Sequence, residues 1–117
     1  MMFNLKTTTI PYYDDLLQGK HVRGITSKII YMTPEKYLTE CFKLQKYDSS
    51  LISLREHLRS VISIEKVNIY RKKTLSGSKI PLLVLDYANG LQEGRHRAVV
   101  AKSLKLQKIP VLVVRRL

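Results

Sequence analysis

A chain of 117 residues is one ordinary domain, too short for an enzyme with a separate cofactor fold. With 44% hydrophobic and 26% charged residues it is globular rather than disordered, yet 21 Lys and Arg against nine Asp and Glu leave a net charge of +12. Such an excess points to polyanionic partners, while the one cysteine, Cys41, excludes an internal disulfide.

Leu5–Ile10 is rich in Thr and closed by Pro11, which predicts a short strand. Tyr12–Gly24 is polar and turn-rich. Thr26–Met32 reads as a second strand around Ile29 and Ile30. Thr33 can then cap a helix, with Pro34 at the first helical position and Glu35 at the positive end of the dipole. Tyr37, Cys41 and Leu44 carry that helix to about Lys46. Asp48, Ser49 and Ser50 supply another cap, and Leu51, Leu54, Leu58 and Val61 mark one face of a second helix.

The period changes in the second half. Val67 and Ile69 alternate with Lys66, Asn68 and Arg71, which predicts a half-exposed strand. Ser76-Gly77-Ser78 is a turn. Ile80–Leu85 is continuously apolar, as in a strand covered on both faces. Asn89-Gly90 signals a tight turn into a return strand over Leu91–Glu93. Gly94 ends it, and Arg95–Leu106 reads as a helix with Val100, Ala101 and Leu104 inside and Lys102 and Lys105 outside. Ile109–Val114 is expected to be a central strand. The expected fold is α/β (α+β), a small mixed sheet with about three helices in one domain over residues 1–117.

The charge is uneven. Lys66–Leu85 holds five basic residues and no acid, and Gly94–Leu117 holds seven and no acid. These two stretches carry the entire net charge. They are either solvated faces or one surface for a polyanion, with Lys72, Lys73, Lys102, Lys105, Arg115 and Arg116 as candidate nucleic-acid contacts. Tyr70, beside Arg71, could stack on a base or pack on its neighbours.

Glu93-Gly94-Arg95-His96-Arg97 lies where a strand should turn into a helix. A helix N-terminus suits an anion, Gly94 lets backbone approach a ligand, and Arg95, His96 and Arg97 add cations there. Basic residues at that end oppose the helix dipole, a conflict that often marks a site. Arg97, Val100, Ala101 and Leu104 share one face, so Arg97 begins the buried face and needs a partner. Glu93, Asp86 or a bound phosphate could serve. A structural Arg–Glu pair with a surface His accounts for the pattern equally well. A magnesium or manganese site would draw on Asp86, Glu93, Asp14 or Asp15, although Asp14-Asp15 also fits a helix cap.

Ile80–Asp86, then Glu93-Gly-Arg-His-Arg-Ala98, then Ile109-Pro-Val-Leu-Val113, resemble the ParB/sulfiredoxin superfamily. The E-G-R-H-R-A form is similar to phage and viral ParB-like proteins, as is Met32-Thr-Pro-Glu-Lys-Tyr-Leu38. The specific part of the resemblance covers residues 80–114. It implies phosphate or nucleotide binding by Gly94, His96 and Arg97, with a nucleoside triphosphate as one possible ligand; Arg95 joins them as a candidate on its charge. It implies Glu93 as a base or metal ligand; His96 beside it is a second catalytic candidate, and Asp86 a second metal candidate on its carboxylate oxygens. Arg95 stands where a sulfiredoxin has its cysteine, so sulfinic-acid reduction is not expected.

The leading expectation is therefore a ParB-like protein that binds DNA or a nucleotide. It would work as a monomer or homodimer, away from membranes, in the cytoplasm of a virus-infected cell. The alternatives are a metal-dependent nuclease or nucleotide-dependent phosphotransferase at the same turn, and a non-catalytic viral protein that binds an acidic host protein. With 117 residues, the helix-turn-helix domain of partition ParB proteins is not expected.

Overall fold

The computed structural model describes residues 2–45 and 53–117. In chain order the elements are β1 (Phe3–Asn4), α1 (Pro11–Leu17), β2 (Ile25–Met32), α2 (Pro34–Leu44), α3 (Leu54–Val61), α4 (Ile64–Leu75), β3 (Ile80–Pro81), β4 (Leu83–Asp86), β5 (Leu91–Glu93), α5 (Arg95–Ser103) and β6 (Ile109–Arg116). The fold is mixed α/β. Its main sheet has the order β2-β6-β4-β5, and β1 and β3 form a separate parallel pair.

β6 is the axis of the sheet. It runs antiparallel to β2, from Ile25 opposite Arg116 to Met32 opposite Ile109, and parallel to β4, with Leu83 opposite Val111. Both its faces are covered, which is why its sequence is continuously apolar. Ile109, Val111 and Val113 join Leu83 and Leu85 under Tyr37, Leu38 and Cys41 of α2 and Ala98 and Ala101 of α5. Leu112 and Val114 join Leu82 and Val84 under Tyr13 and Leu16 of α1. Burying each such aliphatic side chain stabilises the fold by about 1.5–3 kcal/mol.

The helix starts follow local chemistry. Thr33 Oγ1 accepts from Lys36 N at 3.0 Å and caps α2 as expected, with Pro34 at the first position. Ser53 and Ser63 cap α3 and α4 in the same way. The cap expected at Asp48–Ser50, and Leu51 with it, lies outside the described residues.

Four segments depart from the sequence expectation, one of them residues 12–17, expected to be turn-rich and here nearly all of α1. Residues 5–10 form no strand. Thr8 instead donates its N–H and hydroxyl to Asp14, and the chain enters α1 at Pro11. Residues 66–71 are helical, the middle of α4, because Ser63 caps the segment and Val67 and Thr74 bury one face. The apolar run from Ile80 to Leu85 is two strands. Pro81 has no N–H to continue a ladder, Leu82 N donates to Thr7 O at 2.8 Å, and the pairing changes partner there. The structure thus has five helices among the described residues, two more than the periodicity predicts.

α5 also stops early, at Ser103. Leu106 N donates to Ala101 O and Lys105 N to Lys102 O, the paired closing bonds of a Schellman cap. Lys105 sits in the left-handed region with φ 60°.

Candidate functional site

The Gly94–Arg97 turn joins β5 to α5, and Gly94 is required there twice over. Its φ is +133°, and a Cβ would stand 2.6 Å from Leu83 Cγ and 3.0 Å from the Tyr37 hydroxyl. Tyr37 in turn donates to Val84 O at 3.1 Å, so the turn is clamped between α2 and β4. Among the described residues no side chain caps the N-terminus of α5.

Arg97 is 1% exposed and ties several elements together. Its Nη2 pairs with Glu93, and its Nη1 donates to Pro81 O at 2.9 Å and to Leu82 O at 3.4 Å. Its guanidinium carbon lies 5.8 Å from the Tyr70 ring centroid. Nε is buried with no hydrogen-bond partner among the described residues. Burial pushes Arg97 below its ordinary value, yet an arginine's intrinsic basicity keeps it charged. Of the two carboxylates open to Arg97 in the sequence, it pairs with Glu93 and not with Asp86.

Asp86 has a different role. Its carboxylate accepts from the Tyr13 hydroxyl at 2.6 Å and from Asn89 N and Nδ2 at 2.9 Å, fixing the turn before β5. The Tyr13 hydroxyl is pushed well above its ordinary value, by burial first and by Asp86 second. No hydrogen bond or ion pair joins Asp86 to Glu93 among the described residues. Asp14 is engaged with Thr8, and Asp15 pairs with Lys20 at 3.4 Å. No group of three His, Cys, Asp or Glu among the described residues is placed to hold a metal.

α4 lies across the turn and makes it a cleft of about 250 Å³. Lys66, Ile69, Tyr70 and Lys73 share one helical face and form one wall, and Glu93, Gly94, His96 and Arg97 form the other. Lys73 Nζ stands 5.9 Å from the centroid of the Tyr70 ring. The lining thus holds three permanent cations and one carboxylate, and that carboxylate is already paired with Arg97.

His96 Nε2 accepts from Ser63 N at 3.0 Å, which holds the α3–α4 junction against the first turn of α5. An accepting Nε2 places the proton of the neutral ring on Nδ1. Burial lowers its pKa, and the nearby Lys66 and Arg95 lower it further. Arg95 is not part of the cleft lining. Its Nη1 is 3.4 Å from Nε2 of the buried His57 on α3, whose pKa is lowered by burial and then by Arg95.

The structure thus gathers Glu93, Gly94, His96, Arg97 and Lys73 from the expected set and disperses the rest. Lys72 is exposed on α4 and outside the cleft lining. Lys102 lines a separate groove. Lys105 is in the cap after α5. Arg115 stacks over Tyr87 at 4.3 Å, and Arg116 Nε donates to Ala88 O at 3.1 Å, both where β6 leaves the C-terminal end of β4. The Gly94 turn packs on Leu83 at the N-terminal end of β4 instead. Lys66 is a site residue that the strand reading of 66–71 conceals. The helical spacing of 66, 69, 70 and 73 is the signal that reveals it.

Cys41 is core, as expected from its helical face, and burial pushes its thiol up to about 12. No helix among the described residues is long and apolar enough to cross a membrane. Compared with known proteins, the chain matches no family model, and no curated protein or solved structure is significantly similar to it.

Proposed function

We propose that this chain binds the phosphate groups of a nucleotide in the cleft between α4 and the Gly94–Arg97 turn, as a ParB-like domain would. The observation that carries the reading is the convergence of Lys66, Lys73 and His96 on the uncapped N-terminus of α5. Lysine ammonium groups and unpaired helix N–H groups are the standard chemistry for holding phosphate. The Nδ1–H of His96 adds a donor. Tyr70 offers a flat ring against which a base can stack, and Arg97 positions the turn from beneath while its charge remains close by.

Polynucleotide binding is the second reading, because exposed Lys72 and Lys105 add positive surface beyond the cleft. Salt separates the two. Several released counterions give a steep fall in affinity with ionic strength, whereas a single nucleotide gives a shallow one.

The test is a titration of fluorescent nucleoside mono-, di- and triphosphates and of a labelled oligonucleotide. Lys66→Ala/Lys73→Ala is the informative variant, since both side chains are exposed and neither makes a hydrogen bond or ion pair among the described residues. The expected result is a loss of about tenfold or more in affinity at unchanged thermal stability. Affinities equal to those of the parent chain would overturn the assignment.

A further inference from the structure

α5 separates two concavities. On the side away from the phosphate cleft, a groove of about 840 Å³ lies between α2, α3 and α5. Its floor is apolar, formed by Leu38, Leu58, Ile62 and Val99. Its rim is basic: Arg55 and Arg59 stand one turn apart on α3, and Lys102 faces them from α5. Among the described residues no Asp or Glu lines it. Ile64, at one end, is 78% exposed and extends the apolar lining to the edge of the groove.

We propose that this groove docks an amphipathic helix of a partner protein whose apolar face is flanked by Asp and Glu. The form of the occupant follows from the walls. They are helices, so an extended peptide finds no strand edge to pair its backbone with, whereas a helix can lay apolar side chains between them. The nine residues of α5 span about 13 Å, which matches two to three turns of a partner helix.

The charge of the occupant follows from the rim. Three cations, with no anion among the described lining residues, reward acidic flanks and repel basic ones. A second copy of this chain is a poor fit, because it brings +12 of its own and would set Arg55 and Arg59 against their equivalents. A nucleic acid would leave the apolar floor uncovered. Lys102, expected from sequence to meet nucleic acid, is here a specificity contact for protein.

The probe is a fluorescein-labelled synthetic peptide of about four helical turns with Leu on one face and Glu on the flanks. Its scrambled isomer and a Lys-for-Glu version are the controls. Anisotropy with the full chain is expected to give binding about tenfold or more tighter for the Glu peptide than for either control. Arg55→Glu/Arg59→Glu changes only exposed side chains and is expected to abolish that preference, with the melting temperature and nucleotide affinity retained. Ile64→Asp is expected to weaken the same peptide about tenfold.

Equal binding of the scrambled peptide would overturn the proposal. So would undiminished binding by the Arg55→Glu/Arg59→Glu variant, or competitive displacement of the peptide by an oligonucleotide. A dimer in light scattering that this variant dissolves would assign the groove to a second copy instead. Lys66→Ala/Lys73→Ala should leave the peptide affinity unchanged, so this proposal and the phosphate reading fail independently.

Discussion

The backbone N–H of Ser63 and Nε2 of His96, 3.0 Å apart, join the cap of α4 to the first turn of α5. That bond needs an unprotonated ring. The His96 pKa is lowered in the fold, so the unfolded chain takes up a proton first as the pH falls.

The stabilisation is therefore fully present above the unfolded histidine value of about 6.5 and is lost as the pH drops through the lower folded value. His57 acts in the same direction. The melting temperature is expected to fall between neutral pH and pH about 5, with a shallower slope in His96→Gln and in His57→Gln. A slope unchanged in both variants would contradict this account.

Gly94→Ala should be among the most damaging small substitutions. It combines a forbidden φ with a Cβ inside the Leu83 side chain. A loss of about 2–4 kcal/mol in chemical denaturation is expected, against a few tenths for an exposed surface change. Leu83→Ala removes the Cγ contact at 2.6 Å but keeps Cβ at 2.9 Å and the Tyr37 hydroxyl at 3.0 Å, so it should rescue Gly94→Ala only in small part relative to simple addition of the two effects.

Arg97→Ala leaves Glu93 and the Pro81 carbonyl without their donor. About 3 kcal/mol of destabilisation is expected, and Glu93→Gln, which keeps a hydrogen-bond acceptor at a partly exposed position, should cost about 1 kcal/mol. A double-mutant cycle should give a coupling of about 1 kcal/mol or more. Purely additive effects would show that the pair does not hold the turn.

Lys105→Gly should stabilise the chain. Position 105 is the left-handed residue of the cap after α5, where a side chain costs about 1 kcal/mol that glycine does not. A rise in melting temperature with unchanged nucleotide affinity is the expected pair of results. A fall would mean that the lysine side chain has an unrecognised structural contact.

Much of the sheet was legible because β6 and β2 carry strong patterns. The uninterrupted apolar run of Ile109–Val114 reflects cover on both faces, and Thr33-Pro34-Glu35 states a helix start in its own chemistry. α1 and α4 were hidden for a common reason: each buries only two residues, Tyr13 and Leu16 in one, Val67 and Thr74 in the other. Two points do not define a period. The alternation of Val67 and Ile69 then imitated a strand. A strand would place Lys66, Asn68 and Tyr70 on one face, whereas the helix aligns Lys66, Ile69, Tyr70 and Lys73. The turn itself was readable from Gly94 to Arg97, but half of the cleft waited on that change of period. The choice of Glu93 over Asp86 as the partner of Arg97 depended on Tyr13, which lies far off in sequence.

The place of β6 between β2 and β4 also sets the order of assembly. Ile25 meets Arg116 across nearly the full length of the chain, so β2 has no ladder partner until β6 arrives. Before then the β4–β5 hairpin is the only part of the main sheet whose pairing is local. Closing the main sheet requires contacts of long sequence separation, which predicts slow, late consolidation and a period in which the apolar faces of both clusters stand exposed. The high positive charge that suits a phosphate ligand would also keep such chains apart during that interval.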